Sequence, residues 1–349
     1  MVAVSFAVPG SLDTPTGGYA YDRRVIAELA TLGWQTEVVD LGDGFPRPSP
    51  RTRAAAHALL ARTPSGQPIV IDGLALGVLP EAAAVLSARR PLVALVHHPL
   101  ALETGLSADE AEAFHKSERS ALAFVKHSIV SSPSTARILA NDYGVAPDRV
   151  TVALPGTDPT TPALRDRDGR LALLAVGSLV PRKGYDVLLA ALATVVDLPW
   201  HLTIVGDRDR DPQTAGNLST QIETLALEQR VSLVGAVPAG RLTEFYASSD
   251  VFVLASRFEG YGMAFAQAIA HGLPILGTTA GAIPETVPCE AGILVPPDDS
   301  VALAAALRRL ATDPGERARL AAGAQAAAAR LPTWQETANV FDRILAALA

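Results

Sequence analysis

The sequence predicts an α/β protein made of two parallel sheets in tandem, each covered by helices. Three observations carry that prediction. Short apolar, β-branched runs alternate with longer helical patterns along the whole chain. A proline-rich stretch without periodicity, 154–163, interrupts the alternation near the middle. At 349 residues the chain exceeds one ordinary core and suits two domains.

The elements follow in order. A first strand is expected at 2–8, then a glycine turn, then a helix over 19–32. That helix puts Val25, Ile26, Leu29 and Leu32 on one face and stops at Gly33. Further strands are expected at 36–41, 69–72, 92–96, 128–131 and 150–153, with helices near 80–88, 108–126 and 133–143. Ser132 and Pro133 read as the N-cap and first residue of the last of these. After the break, strands are expected at 171–176, 202–205, 231–233, 251–254, 274–277 and 293–295. Helices fall near 184–196, 218–228, 239–246, 262–271 and 301–310, and two more, 314–330 and 334–348, are separated by Pro332. Strands this apolar, each followed by a helix, mean parallel sheets buried on both faces. The expected division is therefore a Rossmann-like domain over 1–160, a second over 161–332, and a final helix, 333–349, returning to the first. Ligands of such sheets sit beyond the carboxyl ends of the strands, so the cleft between the domains is the expected site, with 154–163 as its hinge.

Composition narrows the function. The chain carries 29 Lys+Arg against 36 Asp+Glu, a formal charge of −7, which argues against nucleic-acid binding. Its 49% apolar and 19% charged residues are those of a chain that buries a core. The single cysteine, Cys289, requires no oxidising compartment. No apolar run reaches the roughly 18–20 residues of a membrane span, and the amino terminus has no basic n-region. The expectation is a cytoplasmic protein without a transmembrane segment; its oligomeric state is not readable.

Four segments that follow strands bear chemistry. Gly17 and Gly18 precede a helix, where free N–H groups favour an anion; taken alone, the pair is equally a tight strand-to-helix turn. His97 and His98 follow the buried strand 92–96, without the Cys/His company of a metal site; each is either an ordinary core or surface histidine or, as a pair at a strand's carboxyl end, a ligand contact. Arg182 and Lys183 stand before a helix N-terminus and suit a di-anion such as a pyrophosphate, or form an ordinary solvated charged loop; the P-loop pattern is missing. Glu259, Gly260 and Gly262 lead into an alanine-rich helix with Gln267 one to two turns inside it, which suits hydroxyl contacts on either side of a phosphate at the helix N-terminus or is simply a glycine-rich turn feeding a buried helix. The run from Asp207 to Asp211 holds D-x-D spacings. Its interleaved arginines compete for the carboxylates, so it reads as a solvated loop and no metal is expected.

Three blocks, Val176-Gly-Ser-Leu-Val-Pro-Arg-Lys-Gly184, Ser256-Arg-Phe-Glu-Gly-Tyr-Gly262 and Ala280-Gly-Ala-Ile-Pro-Glu285, occur in an order that resembles the retaining nucleotide-sugar glycosyltransferases of family 4 (group 1), which have the GT-B fold. Thr16-Gly-Gly-Tyr19 and His97-His-Pro-Leu100 are similar to one bacterial branch of that family. The resemblance implies a carboxyl-terminal donor domain and an amino-terminal acceptor domain. It implies that Lys183 meets the donor pyrophosphate together with backbone N–H groups of Gly262, Met263 and Ala264, and that Glu259 binds the transferred sugar. His97, with His98 close behind, would hydrogen-bond that sugar. Gly17 and Gly18 would approach the phosphates, Val237 would lie against the base, and Tyr261 belongs to the glutamate block. Two positions depart from the family pattern: Gln267 replaces the second glutamate of E-x7-E, and Ser178 stands where a pyrophosphate arginine is expected, with Arg182 nearby as a substitute. The implied reaction moves a hexose-type sugar from a UDP- or GDP-linked donor to an acceptor hydroxyl with retention, without metal or cofactor. The rival is a non-catalytic GT-B protein that binds a nucleotide or supports a partner enzyme. The first 165 residues, with 14 Lys+Arg and 16 Asp+Glu, show no basic bias towards anionic lipid. A small soluble molecule or a saccharide is therefore the expected acceptor.

Overall fold

The computed structural model describes residues 2–160 and 169–349 and divides into two compact units, Met1–Gly156 with Pro332–Ala349, and Thr157–Leu331. Of the stretch expected as a hinge, residues 161–163 lie outside the described residues.

The first unit holds six parallel strands: β1 (Ala3–Val8), β2 (Gln35–Asp40), β3 (Ile69–Asp72), β4 (Leu92–Val96), β5 (His127–Val130) and β6 (Val150–Val152). They are ordered β2-β1-β3-β4-β5-β6. β3 and β4 are wholly buried, as expected of central parallel strands. The helix Gly17–Thr31 follows β1, capped by Thr16, whose side chain accepts from Tyr19 N. It packs on the terminal helix Trp334–Ala346. Tyr21 meets the rings of Trp334 and Phe341 there, and Trp34 Nε1 donates to Asp342 Oδ1 at 2.8 Å. A helix at Pro50–Arg62 was not expected from the apolar pattern. Its start, Ser49 as N-cap and Pro50 at the first position, is the same device as Ser132–Pro133.

The second unit contains β7 (Leu171–Val176), β8 (Trp200–Val205), β9 (Val231–Gly235), β10 (Val251–Val253), β11 (Ile275–Thr278) and β12 (Gly292–Val295). The order β12-β11-β10-β7-β8-β9 is the doubly wound dinucleotide-fold order read from its far edge. The direction of winding reverses between β7 and β10, which pair directly. One helix is displaced from its expected place: it spans Pro212–Thr224, not 218–228. Asp211 caps it, accepting from Thr214 N at 3.0 Å and Thr214 Oγ1 at 2.7 Å, with Pro212 at the first position. Ala226, at φ 53°, leaves the helical region beyond its end. The end of the acidic run expected as a loop is thus a helix cap.

Candidate active site

Each unit places one charged cluster beyond the carboxyl ends of its strands. In the second unit the cluster lies at the winding reversal, where doubly wound sheets leave a crevice for ligands. β7 runs into Gly177, Ser178 and a single 3-10 turn, Pro181–Lys183, and the helix Tyr185–Ala193 follows. β10 runs into Ser256–Gly262 and then the helix Met263–Ala270. The two loops meet through charge. Lys183 Nζ donates to Glu259 Oε1 at 2.7 Å, Arg182 Nη1 to Glu259 Oε2 at 3.4 Å and to Phe258 O at 2.9 Å, and Ser256 Oγ to Glu259 Oε1 at 2.7 Å.

Glu259 is 6% exposed. Burial by itself pushes its carboxyl up, but the Lys183 and Arg182 charges and the hydrogen bonds from Lys183 and Ser256 outweigh it and hold the group below its ordinary value. The backbone beneath is fixed by Ala282 N, which donates to Glu259 O at 2.9 Å. Gly281, at φ 57°, makes that approach possible, since a Cβ there would come within 2.3 Å of Glu259 O. Arg257 ties the loops together. It donates to both carboxylate oxygens of Asp186 (3.0 and 2.7 Å), to Asp298 Oδ1 (2.7 Å) and to Pro181 O (2.6 Å), and its own N–H reaches Arg182 O.

The other expected donor residues fall as follows. Gly262 is the N-cap of Met263–Ala270, and no side chain caps that helix, so the N–H groups of Met263 and Ala264 stand at an uncapped end. Gln267 is half-buried one turn in, and its carbonyl accepts from His271. Tyr261 is buried, its carbonyl takes a hydrogen bond from Thr286 Oγ1, and burial pushes its phenol up to about 12. Ser178 is half-buried in the turn after β7; Val237 lies beyond β9 and packs partly buried against the core of this unit.

In the first unit His97 follows β4. Its Nε2 lies 3.1 Å from Asp22 Oδ1 and 3.4 Å from Asp72 Oδ2. Asp22 comes from the helix after β1 and Asp72 from the end of β3, so the cluster sits where β1, β3 and β4 run side by side. Gly18, in the first turn of the same helix, lies so close that a Cβ would stand 3.3 Å from His97 Cδ2. Gly17 opens that helix next to it. His98 turns instead to Glu103, at 3.4 Å. Asp22, Asp72 and His97 are metal-ligand types with atoms all within 4.8 Å of one another; an imidazolium ion-paired to two carboxylates has the same spacing. Asp22, Asp72, Ser256 and Arg257 were not singled out from the sequence. The last two sit inside the glutamate block, whereas nothing in the periodicity around Asp22 separates it from a solvated helix face.

Two doubly wound parallel sheets, each with a charged cluster beyond the carboxyl ends of its strands, place the protein among the α/β folds that hold ligands at a winding reversal. Residues 170–313 match the family model "Glycosyl transferases group 1", and residues 17–161 match "Glycosyltransferase Family 4". The chain belongs to this glycosyltransferase family. It is 29% identical over 328 residues to the MMP alpha-(1->4)-mannosyltransferase of Mycolicibacterium hassiacum, covering 88% of this chain and 77% of the relative. It is 33% identical over 245 residues to the D-inositol 3-phosphate glycosyltransferase of Thermomonospora curvata, covering 62% of this chain and 55% of that relative. The match thus spans only about half of the latter's length. Among solved structures, sucrose-phosphate synthase from Thermosynechococcus elongatus superposes with a TM-score of 0.81 at 21% identity, over 99% of this chain and 100% of that one. Anabaena HepE in complex with UDP and glucose gives 0.78 at 20% identity, over 99% of each chain. These likenesses establish the GT-B fold. Among the described residues no helix is long and apolar enough to cross a membrane.

Proposed function

We propose that this protein transfers a hexose-type sugar from a nucleoside diphosphate sugar, UDP- or GDP-linked, to an acceptor hydroxyl, with retention at the anomeric carbon and without a metal or cofactor. The observation that carries the reading is the Lys183–Glu259–Arg182 cluster at the winding reversal, beside the uncapped helix end at Gly262.

In this reading the anomeric C–O bond to the diphosphate breaks and a new C–O bond forms to the acceptor oxygen on the same face. The acceptor proton leaves with the departing nucleoside diphosphate. Negative charge grows on the leaving phosphate. Lys183, Arg182 and the N–H groups at Met263 and Ala264 oppose it, which is electrostatic catalysis by preorganised donors. Glu259, kept ionised, accepts from hydroxyls of the transferred sugar, and His97, in the other unit, is a hydrogen-bond donor to a sugar hydroxyl. Binding of the diphosphate takes over the charge of Lys183 that Glu259 holds in its absence.

The names of the relatives support a small hydrophilic acceptor: inositol 3-phosphate in one, and the product sucrose phosphate in another. The acceptor here is inferred to be a small polyol or saccharide. Gln267 and Ser178, which replace a carboxylate and an arginine of the family pattern, favour one rival: a GT-B protein that binds a nucleotide without turnover. A panel of UDP- and GDP-sugars, assayed for nucleotide release with sugar or polyol acceptors, separates the two. Release that disappears in Lys183→Ala and Glu259→Ala supports transfer. Binding by calorimetry without release supports the rival, and transfer unchanged in both variants refutes the site.

A further inference from the structure

His97 carries two carboxylates on one ring nitrogen. Both Asp22 Oδ1 and Asp72 Oδ2 approach Nε2, at 3.1 and 3.4 Å, and two acceptors on one nitrogen require a proton there. The surroundings hold this arrangement firmly. Asp22 has no solvent exposure, and its second oxygen is buried with no hydrogen-bond partner among the described residues. The second oxygen of Asp72 is engaged, accepting from Leu74 N at 2.7 Å as the cap of the short helix Gly73–Leu76. The His97 and Tyr21 rings meet edge to face at 5.2 Å between centroids, and Gly18 lies against Cδ2. Just beyond β5, Ser131 Oγ donates to the His97 carbonyl.

The ring therefore has its Nε2 side turned to buried carboxylates and a side chain still 21% exposed. Nδ1 makes no hydrogen bond within the described residues and is the nitrogen left for a ligand. We propose that Asp22 and Asp72 are positioning residues that hold His97 as a doubly protonated imidazolium, so that its Nδ1–H is a charged donor to a lone pair on an oxygen of a sugar bound at this unit. This deepens the glycosyltransferase reading and rests on it for the ligand. It also turns a residue type that ordinarily switches near neutral pH into a constant cation.

The charged groups facing the ring are Asp22, from the helix after β1, and Asp72, from the end of β3. Tyr21 presents a neutral phenol, pushed well up by burial, and His98 on the same loop is turned to Glu103. Burial pulls the imidazole down, but the hydrogen bonds and charges of Asp22 and Asp72 prevail and bring it up to about 10. Burial, reinforced by Asp72 and opposed by His97, pushes Asp22 up to about 7. The sign follows for the pair: the imidazolium's contribution is lost as pH rises through about 10, and the Asp22 charge that supports it is lost as pH falls through about 7.

The test uses Asp22→Asn, which keeps the acceptor oxygen and the ring orientation but removes a charge. Asp72→Asn, at a less deeply buried position, is the companion should the first variant not fold. Nitrogen-15 histidine spectra of the full chain report the protonation of both ring nitrogens directly. The wild type is expected to show a doubly protonated His97 up to pH ~9, and the Asn variants a neutral ring above pH ~7. With a turned-over nucleotide sugar, kcat/KM of the wild type should be flat from pH ~6 to ~9, while the variants lose roughly tenfold across that range. A merely structural role would lower activity without moving the pH profile. A neutral His97 in the wild type at pH 7 overturns the proposal, as do identical profiles in all three proteins. So does a tightly held divalent cation that leaves with Asp22→Asn. If the wild type turns over no nucleotide sugar, the reading of function fails by itself, and the spectra still decide the charge of His97.

Discussion

Lys183→Met is the sharpest test of the carboxyl-terminal cluster, because it removes a charge while keeping most of the side-chain stem. Wild-type Lys183 donates to Glu259 at 2.7 Å, with the two side chains only 13% and 7% exposed. Removing one partner of a buried ion pair costs about 3–5 kcal/mol, since the remaining charge is left without compensation. Glu259 is not wholly abandoned: Arg182 at 3.4 Å and Ser256 at 2.7 Å remain. The expected loss is therefore about 2–3 kcal/mol at pH 7, which for a unit of this size lowers Tm by roughly 5–10 °C. The loss has a pH signature. The Glu259 carboxyl is depressed, so its contribution is present above the ordinary value of 4.5 and lost as pH falls through the folded value. The gap between wild type and variant in denaturant titrations should accordingly be widest near neutrality and close in acid. A gap under about 1 kcal/mol, or one independent of pH, would refute an electrostatic role and leave a packing effect. If, as proposed, the same ammonium serves the diphosphate, nucleotide-sugar affinity should fall together with stability, roughly tenfold or more.

Three further outcomes follow from the geometry. Gln267→Glu restores a carboxylate and should tighten UDP or GDP binding roughly tenfold by calorimetry if the position faces ribose hydroxyls; unchanged affinity would remove Gln267 from the site. Gly18→Ala puts a methyl 3.3 Å from a His97 ring that two carboxylates prevent from yielding. It should cost about 1–2 kcal/mol of stability and a larger share of kcat/KM, and full activity would show that the ring gives way. Arg257→Lys loses the bidentate bond to Asp186 and the bond to Asp298. KM for the donor should rise several-fold, with kcat less affected, as the Pro181–Lys183 turn loosens. An equal fall in kcat alone would contradict that.

The strands expected from the sequence fall within one or two residues of their places; the central ones, such as β3 and β4, were the plainest, because a buried parallel strand is a short apolar run with no polar face to blur it. Helix ends were less legible. The helix Pro212–Thr224 was displaced because the polar sequence at its start hides the Asp211–Pro212 cap, and Pro50–Arg62 was missed because alanine and arginine dilute its apolar face. In the two charged clusters, Lys183 and Glu259 of one unit and His97 of the other stand out in the sequence because each follows an apolar strand inside a recognisable block.

What the sequence by itself determined is therefore the tandem α/β architecture, the family, and which loops bear charge, since all three depend on local pattern and short motifs. The tertiary structure alone decided which charges meet. Lys183 and Glu259 are 76 residues apart and are joined because β7 and β10 are neighbours at the winding reversal. Asp22, Asp72 and His97 come from three segments, and only the side-by-side order of β1, β3 and β4 brings both carboxylates onto one imidazole nitrogen. Charge state depends on burial and neighbours, and a sequence states neither until its sheet is ordered.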